Sequence, residues 1–132
     1  MVLLIQWSEQ LEIGHAEIDA EHRVLIDLMN RALEALLHDT VQDDLPKIFA
    51  ALVSYANEHF SNEEGVMHAA GYPDRETHIR EHQAFREQLN AFQTRYEAGE
   101  TQLTLGVMKF LRNWLTGHIL TVDRRLADYL RP

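Results

Sequence analysis

Apolar residues recur along the chain at alternating steps of four and three, the spacing of one face of an amphipathic helix. The first such stripe reads Ile18, His22, Leu25, Met29, Ala32 and Leu36. Three more stripes follow with the same period, from Leu45 to Val66, from His78 to Tyr96 and from Val107 to Leu126, which Tyr129 closes. Four amphipathic helices joined by short links are best satisfied by an antiparallel up-down-up-down four-helix bundle, so the predicted fold class is all-α.

The links between the stripes carry the residues that start and stop helices. Asp43 or Asp44 can cap the second helix. The segment 71–74, Gly-Tyr-Pro-Asp, reverses the chain, because glycine ends one helix and Pro-Asp begins the next. Thr101 or Thr104 precedes the fourth helix. The second and third helices therefore form an αα-hairpin whose facing sides meet.

The first residues lack a sustained period. We interpret 1–17 as an N-terminal arm that packs on the body, and we predict the four-helix bundle over 18–130. A chain of 132 residues can bury a core of its own. The expected organisation is one domain spanning 1–132.

Composition narrows the classes of function. The net charge is -9, with 21 acidic and 12 basic side chains, which argues against nucleic acid or an anionic membrane as partner. The chain has no cysteine, so thiolate ligands and disulfides are excluded. The apolar N-terminal MVLLIQW lacks a basic flank, and nothing approaches a membrane span of about 20 apolar residues. A cytoplasmic protein is expected, while protein partners stay open.

Polar residues stand at positions where the stripes call for leucine or isoleucine. They are His22, His59, Glu63, His78, His82 and His118. An unpaired buried polar group costs roughly 1–3 kcal/mol, so several together would prevent folding unless something compensates them. A lone histidine of this kind is best explained by a hydrogen bond in the core, but five on four converging stripes are not. Imidazole and carboxylate are ligands of borderline transition metals, which indicates a metal site.

Asp123 is a further carboxylate candidate, five residues after His118. Five residues of α-helix turn through about 140°, so Asp123 reaches the site only from the flank or through a local π-bulge. With it, the set holds five imidazoles and two carboxylates, more than one ion can coordinate. Two metal ions with bridging carboxylates, terminal histidines and at least one open position are the natural solution.

Four motifs then resemble those of a known family. They are IGHAEIDAEH ending at His22, HFSNEE from His59, HIREH from His78, and WLTGHILTVD from Trp114 to Asp123. Over nearly its whole length the chain resembles the hemerythrins, in particular the single-domain bacterial ones. The resemblance implies a non-haem di-iron site, two iron ions per chain, that binds O₂ reversibly.

The resemblance also implies a role for each ligand. His78, His82 and His118 would hold one iron, His22 and His59 the other, and Glu63 and Asp123 would bridge both together with a hydroxide or oxide. O₂ would bind at the iron held by His22 and His59. The apolar lining of the O₂ pocket would be Leu25, Phe60, Met67, Trp114, Leu115 and Ile119. Such a lining excludes water, which protects the bound oxygen from protonation.

Other charged residues fit no ligand position. Glu64 lies one step off the ligand face, where it is exposed or orients a ligand, and His15, His38 and His68 are expected at the surface.

Three alternatives stay open. A di-iron oxidase or oxygenase of the ferritin-like type would use two Glu-x-x-His motifs, whereas the only one here, Glu12 to His15, lies in the arm. A two-zinc hydrolase would need a polar substrate cleft. A sensor module would use the same di-iron chemistry to signal oxygen or redox state. We expect oxygen binding and no enzyme activity, with storage, delivery and sensing all possible roles.

Overall fold

Four long helices make up the body of the protein. The computed structural model describes residues 4–38 and 45–131, and every regular element in these ranges is helical. The first three helices are α1, Ala16–Leu37, α2, Leu45–Ala70, and α3, Arg75–Glu97. The fourth is continuous and consists of α4, Leu105–His118, a π-helical turn, Ile119–Asp123, and α5, Arg124–Leu130. A short 3₁₀ helix, Glu9–Leu11, lies in the arm.

The helices pack in the predicted order. Helix α1 lies against α2 and α4, and α2 lies against α3. The all-α, antiparallel four-helix bundle is therefore confirmed. Among the residues that the structure describes, no helix is both long and apolar enough to cross a membrane.

Helix ends follow the start and stop residues. The Nδ1 atom of His15 accepts the Ile18 N–H at 3.3 Å, so α1 begins two residues before the predicted bundle. Gly71, with φ at 64°, adopts the left-handed conformation that follows α2, a conformation that costs glycine little. Thr104 caps α4 through its hydroxyl, which accepts the Val107 N–H at 3.2 Å.

Two predictions about the helices are not confirmed by the structure. The predicted caps of the second helix, Asp43 and Asp44, lie outside the described residues. Tyr129 was expected to close the apolar stripe of the fourth helix, but its side chain is 46% exposed. Its hydroxyl donates instead to the Ala70 carbonyl at 3.3 Å, at the turn between α2 and α3.

The arm is tied to α1 and to the fourth helix. Asn30 donates to the Ile5 carbonyl at 2.8 Å and accepts the Ile5 N–H at 3.0 Å. Asp19 accepts the Ile13 N–H at 2.9 Å, and Arg124 donates to the Gln10 carbonyl at 2.6 Å. These polar anchors hold the buried apolar residues of the arm against the bundle beside the π-helical turn.

The π-helical turn changes which face of the fourth helix points inward. A π turn takes one residue more than an α turn, so Asp123 comes onto the face of His118. The stripe from Val107 to Leu126 includes Val122, four residues after His118, and so predicts it in the core, which is wrong: Val122 is half-buried, while Asp123 is fully buried. Within the turn, the Thr121 hydroxyl donates to the Gly117 carbonyl at 2.7 Å.

Candidate metal centre

All seven predicted ligands meet at one end of the bundle core. Helix α1 contributes His22, α2 contributes His59 and Glu63, α3 contributes His78 and His82, and the fourth helix contributes His118 and Asp123. None of the seven is more than 4% exposed. The donor atoms fall into two groups that could each hold an ion, and both groups include the two carboxylates.

The two oxygens of Glu63 face different histidines. Oε1 lies 2.7 Å from Nε2 of His78 and 3.1 Å from Nε2 of His82. Oε2 lies 3.4 Å from Nε2 of His59 and 3.9 Å from Nε2 of His22. The Glu63 carboxylate therefore stands between two sets of imidazoles.

Asp123 divides its oxygens in the same way. Oδ1 lies 3.1 Å from Nε2 of both His78 and His118, whereas Oδ2 lies 3.1 Å from Nε2 of His22. Two carboxylates thus separate a three-histidine end, made of His78, His82 and His118, from a two-histidine end, made of His22 and His59. Each carboxylate could therefore contribute an oxygen to each of two ions.

Whether the buried polar atoms have hydrogen-bond partners, and how far apart they lie, tests whether metal ions fit. Nine nitrogen and oxygen atoms of His22, Glu63, His78, His118 and Asp123 are buried without a partner in hydrogen-bond geometry among the described residues. Ligand atoms about 2.1 Å from an ion and at right angles lie about 3 Å apart, close to the spacings observed here. Unpartnered donors at this spacing fit first-row metal ions.

The charges of the site stabilise one another strongly. Burial lowers the pKa of His59, but hydrogen bonds to Glu21 and Glu63 outweigh it and raise this pKa to about 9. For His118, burial is likewise outweighed by the charge of Asp123, which raises the pKa to about 10. Burial raises the pKa of Asp123, as does the charge of Glu63, yet the His118 cation and hydrogen bonds lower it to about 2. Metal ions that bind here must replace these protons.

Carboxylates outside the cluster lie beside the outer nitrogens of three of the predicted ligand histidines, two of them in hydrogen-bond contact. Nδ1 of His59 lies 2.9 Å from Oε1 of Glu21, and Nδ1 of His82 lies 2.8 Å from Oε2 of Glu64. Nδ1 of His118 lies 3.5 Å from Oε1 of Glu81. We call Glu21, Glu64 and Glu81 the outer carboxylates.

The spacing of residues along the chain indicates only one of the three outer carboxylates. Glu64, predicted either to be exposed or to orient a ligand, contacts the predicted ligand His82 at 2.8 Å. Glu21 and Glu81 were missed, because each contacts a histidine on another helix and therefore leaves no signal in the spacing along its own. His38 and His68 are exposed as expected, whereas His15 is half-buried at its cap.

Aromatic rings support the three-histidine end. Phe60 stacks on His82 with ring centroids 4.3 Å apart, and Trp114 stacks on His118 at 4.6 Å. Of the six residues predicted to line the O₂ pocket, Leu25, Phe60, Met67, Leu115 and Ile119 are buried and Trp114 is half-buried. The stacked rings restrict the orientation of two imidazoles that are predicted ligands.

A four-helix bundle with a buried, binuclear histidine–carboxylate cluster defines the class of this protein, and comparison with known proteins gives the family. The model of the hemerythrin HHE cation binding domain matches residues 14–130. The chain therefore belongs to the hemerythrin family, and the resemblance inferred from its motifs is confirmed.

Individual relatives agree along most of the chain. The chain is 31% identical to a bacteriohemerythrin of Clostridium acetobutylicum, over 92% of this chain and 98% of that protein. It is also 31% identical to one of Stenotrophomonas maltophilia, over 99% of this chain and 84% of that protein. A crystal structure of wild-type hemerythrin superimposes with a TM-score of 0.91 at 26% identity, covering 96% of this chain and 98% of the other.

Proposed function

We propose that this chain, as one hemerythrin-like domain, binds O₂ reversibly at a non-haem di-iron centre and serves oxygen storage, delivery or sensing. Its membership of the hemerythrin family supports the di-iron centre and O₂ as the ligand. One observation carries the proposal. In both Glu63 and Asp123, one carboxylate oxygen faces the three-histidine end and the other faces the two-histidine end.

This division of the oxygens supports a proposed role for each predicted ligand. His78, His82 and His118 would hold one iron, His22 and His59 would hold the other, and Glu63 and Asp123 would contribute to both. When bound, the two irons supply reversible exchange of two electrons with O₂, one from each ion. The two-histidine end has one imidazole fewer, which leaves room there for a small molecule.

The surroundings of the cluster favour reversible binding. Leu25, Met67 and Ile119 are at most 1% exposed and carry no proton to donate. A dry, apolar wall of this kind keeps protons from oxygen, so that O₂ leaves as O₂. The wall thus serves binding without loss of the reduced state.

The ligand set also favours binding over enzymatic turnover. The cluster contains two carboxylates, whereas the ferritin-like oxidases supply a glutamate from each of two helices and a Glu-x-x-His motif from each of the other two. Fewer anionic ligands stabilise the high oxidation states of iron less. We therefore propose a binding protein and no enzyme.

A visible spectrum of the iron-loaded protein tests the proposal. Reduced protein under nitrogen should be nearly colourless, turn orange-red in air, and lose the colour again when O₂ is removed, over repeated cycles. Metal analysis should give two irons per chain. Irreversible consumption of O₂ with turnover of a substrate would favour an oxidase, and a single ion, or two zinc ions in protein grown with ample iron, would refute the di-iron centre.

A further inference from the structure

The outer carboxylates are distributed unequally between the two ends of the metal centre. At the three-histidine end, Glu64 contacts His82 and Glu81 lies near His118. At the two-histidine end, Glu21 contacts His59, while Nδ1 of His22 has no hydrogen-bond partner among the described residues. Glu21 is therefore the one outer carboxylate that supports the two-histidine end.

Glu21 and Glu64 also differ in what neutralises them. Glu64 accepts a hydrogen bond from Arg86 at 2.8 Å, so its charge is shared between a guanidinium and the imidazole of His82. Glu21 is held at its other oxygen by the neutral amide of Asn62, at 2.7 Å. In the described part of the chain, His59 is the ion-pair partner of Glu21. The negative charge of Glu21 therefore acts on His59 without a competing cation among the described residues.

The contact fixes which nitrogen of His59 faces inward. A histidine whose Nδ1–H donates to a carboxylate presents a free Nε2 lone pair, and the carboxylate makes that nitrogen a better donor to a metal. Nε2 of His59 is the atom that points toward Glu63, at 3.4 Å. Glu21 thus sets both the tautomer and the direction of this ligand.

Glu21 acts from the wall of a surface cleft. Its side chain is 19% exposed, and it lines a cleft of about 550 Å³ between α1 and α2 together with Glu17, Ser61, Asn62 and Gly65. Glu17 lies one helical turn before Glu21 in the same cleft. It carries the same charge but has no described contact with a ligand histidine, which makes it a matched control.

We propose that Glu21, anchored by Asn62, is the positioning residue of the two-histidine end and selectively sets the affinity for the ion that His22 and His59 hold. The proposal rests on the metal centre proposed above. Substitution of residues that orient metal ligands typically weakens metal binding about 10- to 100-fold. Because Glu21 contacts one ligand of one end, we expect this loss for one ion of the two.

The test measures metal binding without O₂. Metal-free protein is titrated with Zn²⁺ against a competing chelator, for the parent chain, Glu21→Ala and Glu17→Ala. We expect two ions in the parent. Glu21→Ala should bind one of them about 10- to 100-fold more weakly and leave the other within about twofold. Glu17→Ala should keep both affinities near those of the parent.

Double variants identify the affected ion. His59→Ala removes a ligand of the two-histidine end, so adding Glu21→Ala to it should cause no further loss from the remaining ion. In a His82→Ala background, which weakens the other end, Glu21→Ala should still exert its full effect. A merely structural role of Glu21 would weaken binding equally in both backgrounds, and that result would overturn the proposal.

Two further comparisons keep the test decisive. If circular dichroism shows that Glu21→Ala does not fold, Glu21→Gln is compared with Glu17→Gln. The amide can still accept the hydrogen bond but lacks the charge, so an intermediate loss from the same ion is expected, and equal behaviour of the two glutamine variants contradicts the proposal. A parent chain that binds fewer than two ions would refute the di-iron centre itself, whereas two ions in the parent with matching Glu21→Ala and Glu17→Ala would refute only the role of Glu21.

Discussion

The two ends of this bundle share four helices and one heptad pattern, but burial of the core side chains is favourable at one end and unfavourable at the other. At the end where α2 begins, Phe49 packs edge-on against Phe92 and Tyr96, with ring centroids 5.5 and 5.4 Å apart. Burial there releases water from apolar surface, worth about 25 cal/mol per Å², and is favourable by itself. At the other end the same stripe positions carry imidazoles and carboxylates, whose burial costs free energy.

The difference shows which part of the fold depends on a ligand. The apolar end is stable through its own contacts, whereas the polar end needs bound metal to satisfy its buried donor atoms. The polar end is therefore where folding, metal binding and oxygen binding are linked. Substitutions at the two ends should consequently change different measured quantities.

The largest expected effect is the loss of O₂ binding in His82→Ala. His82 is fully buried at the three-histidine end, so its removal takes a ligand from the iron at which O₂ is not expected to bind. O₂ binding should nevertheless be abolished, because O₂ exchanges one electron with each of the two irons and a disturbed iron cannot supply its share. Visible spectra in air and iron analysis measure this, with the exposed His68→Ala as control. A normal oxygenated spectrum for His82→Ala would show that O₂ binding does not need an intact three-histidine end.

The reverse experiment is Phe49→Ala at the apolar end. Phe49 is 1% exposed, and truncation of a buried phenylalanine costs about 3–5 kcal/mol through lost burial and a new cavity. Denaturant unfolding should show this loss while iron content stays at two per chain. Phe110→Ala, at a side chain 48% exposed, should cost far less. Loss of iron in folded Phe49→Ala would mean that the two ends are coupled after all.

Removal of the metal should destabilise the protein by a smaller but definite amount. A ligand that binds only the folded state at 100 times its dissociation constant stabilises that state by about 2.7 kcal/mol. Protein stripped by a chelator should therefore melt at a lower temperature than the same protein reloaded with iron. Equal melting temperatures would contradict the dependence of the polar end on metal.

Most of this architecture could be predicted from the sequence, because heptad stripes and helix caps are local signals. The position of Asp123 could be predicted only as a choice between a flank approach and a π-bulge, since spacing alone does not decide where a helix widens. The structure places the π turn over Ile119–Asp123, which brings Asp123 to the site. Val122 was misplaced for the same reason.

Contacts between helices were beyond the reach of the sequence. Glu21 and His59 are 38 residues apart in the chain and lie on different helices, so no motif joins them. Tyr129 had the spacing of a core residue, but the end of the bundle leaves it beside the α2–α3 turn. Local pattern predicts which residues face inward, whereas packing decides which of them meet.

Proton release should accompany metal loading at the polar end. The pKa values of His59 and His118, about 9 and about 10, leave both imidazoles protonated near neutral pH. A metal ion binds the neutral ring, so loading releases these protons, and affinity should fall as pH is lowered. A pH-indicator dye in weak buffer, with Zn²⁺ added to metal-free protein, measures the release. Metal uptake with no release of protons would contradict the raised pKa values.

The smallest expected effect concerns the apolar wall of the O₂ pocket. Leu115 is 3% exposed and lies three residues before His118, and resemblance to the hemerythrins predicts that it covers the iron held by His22 and His59. Replacing Leu115 with Asn leaves every ligand in place, so both irons should remain bound. The amide adds a hydrogen-bonding group and the polar surroundings that a water molecule needs.

The rate of autoxidation measures whether a water molecule or the amide reaches the bound oxygen. In this reaction each of the two ferrous ions loses one electron and O₂ leaves as hydrogen peroxide, which consumes two protons. Leu115→Asn should therefore autoxidise faster than the parent, increasingly so as pH falls, in spectra recorded over time in air. Leu105→Asn, at a side chain 44% exposed at the start of the same helix, controls for the substitution itself. If Leu115→Asn kept two irons but autoxidised at the parent rate at every pH, Leu115 would be an ordinary core residue. Its burial would then serve packing alone, as burial does at the apolar end.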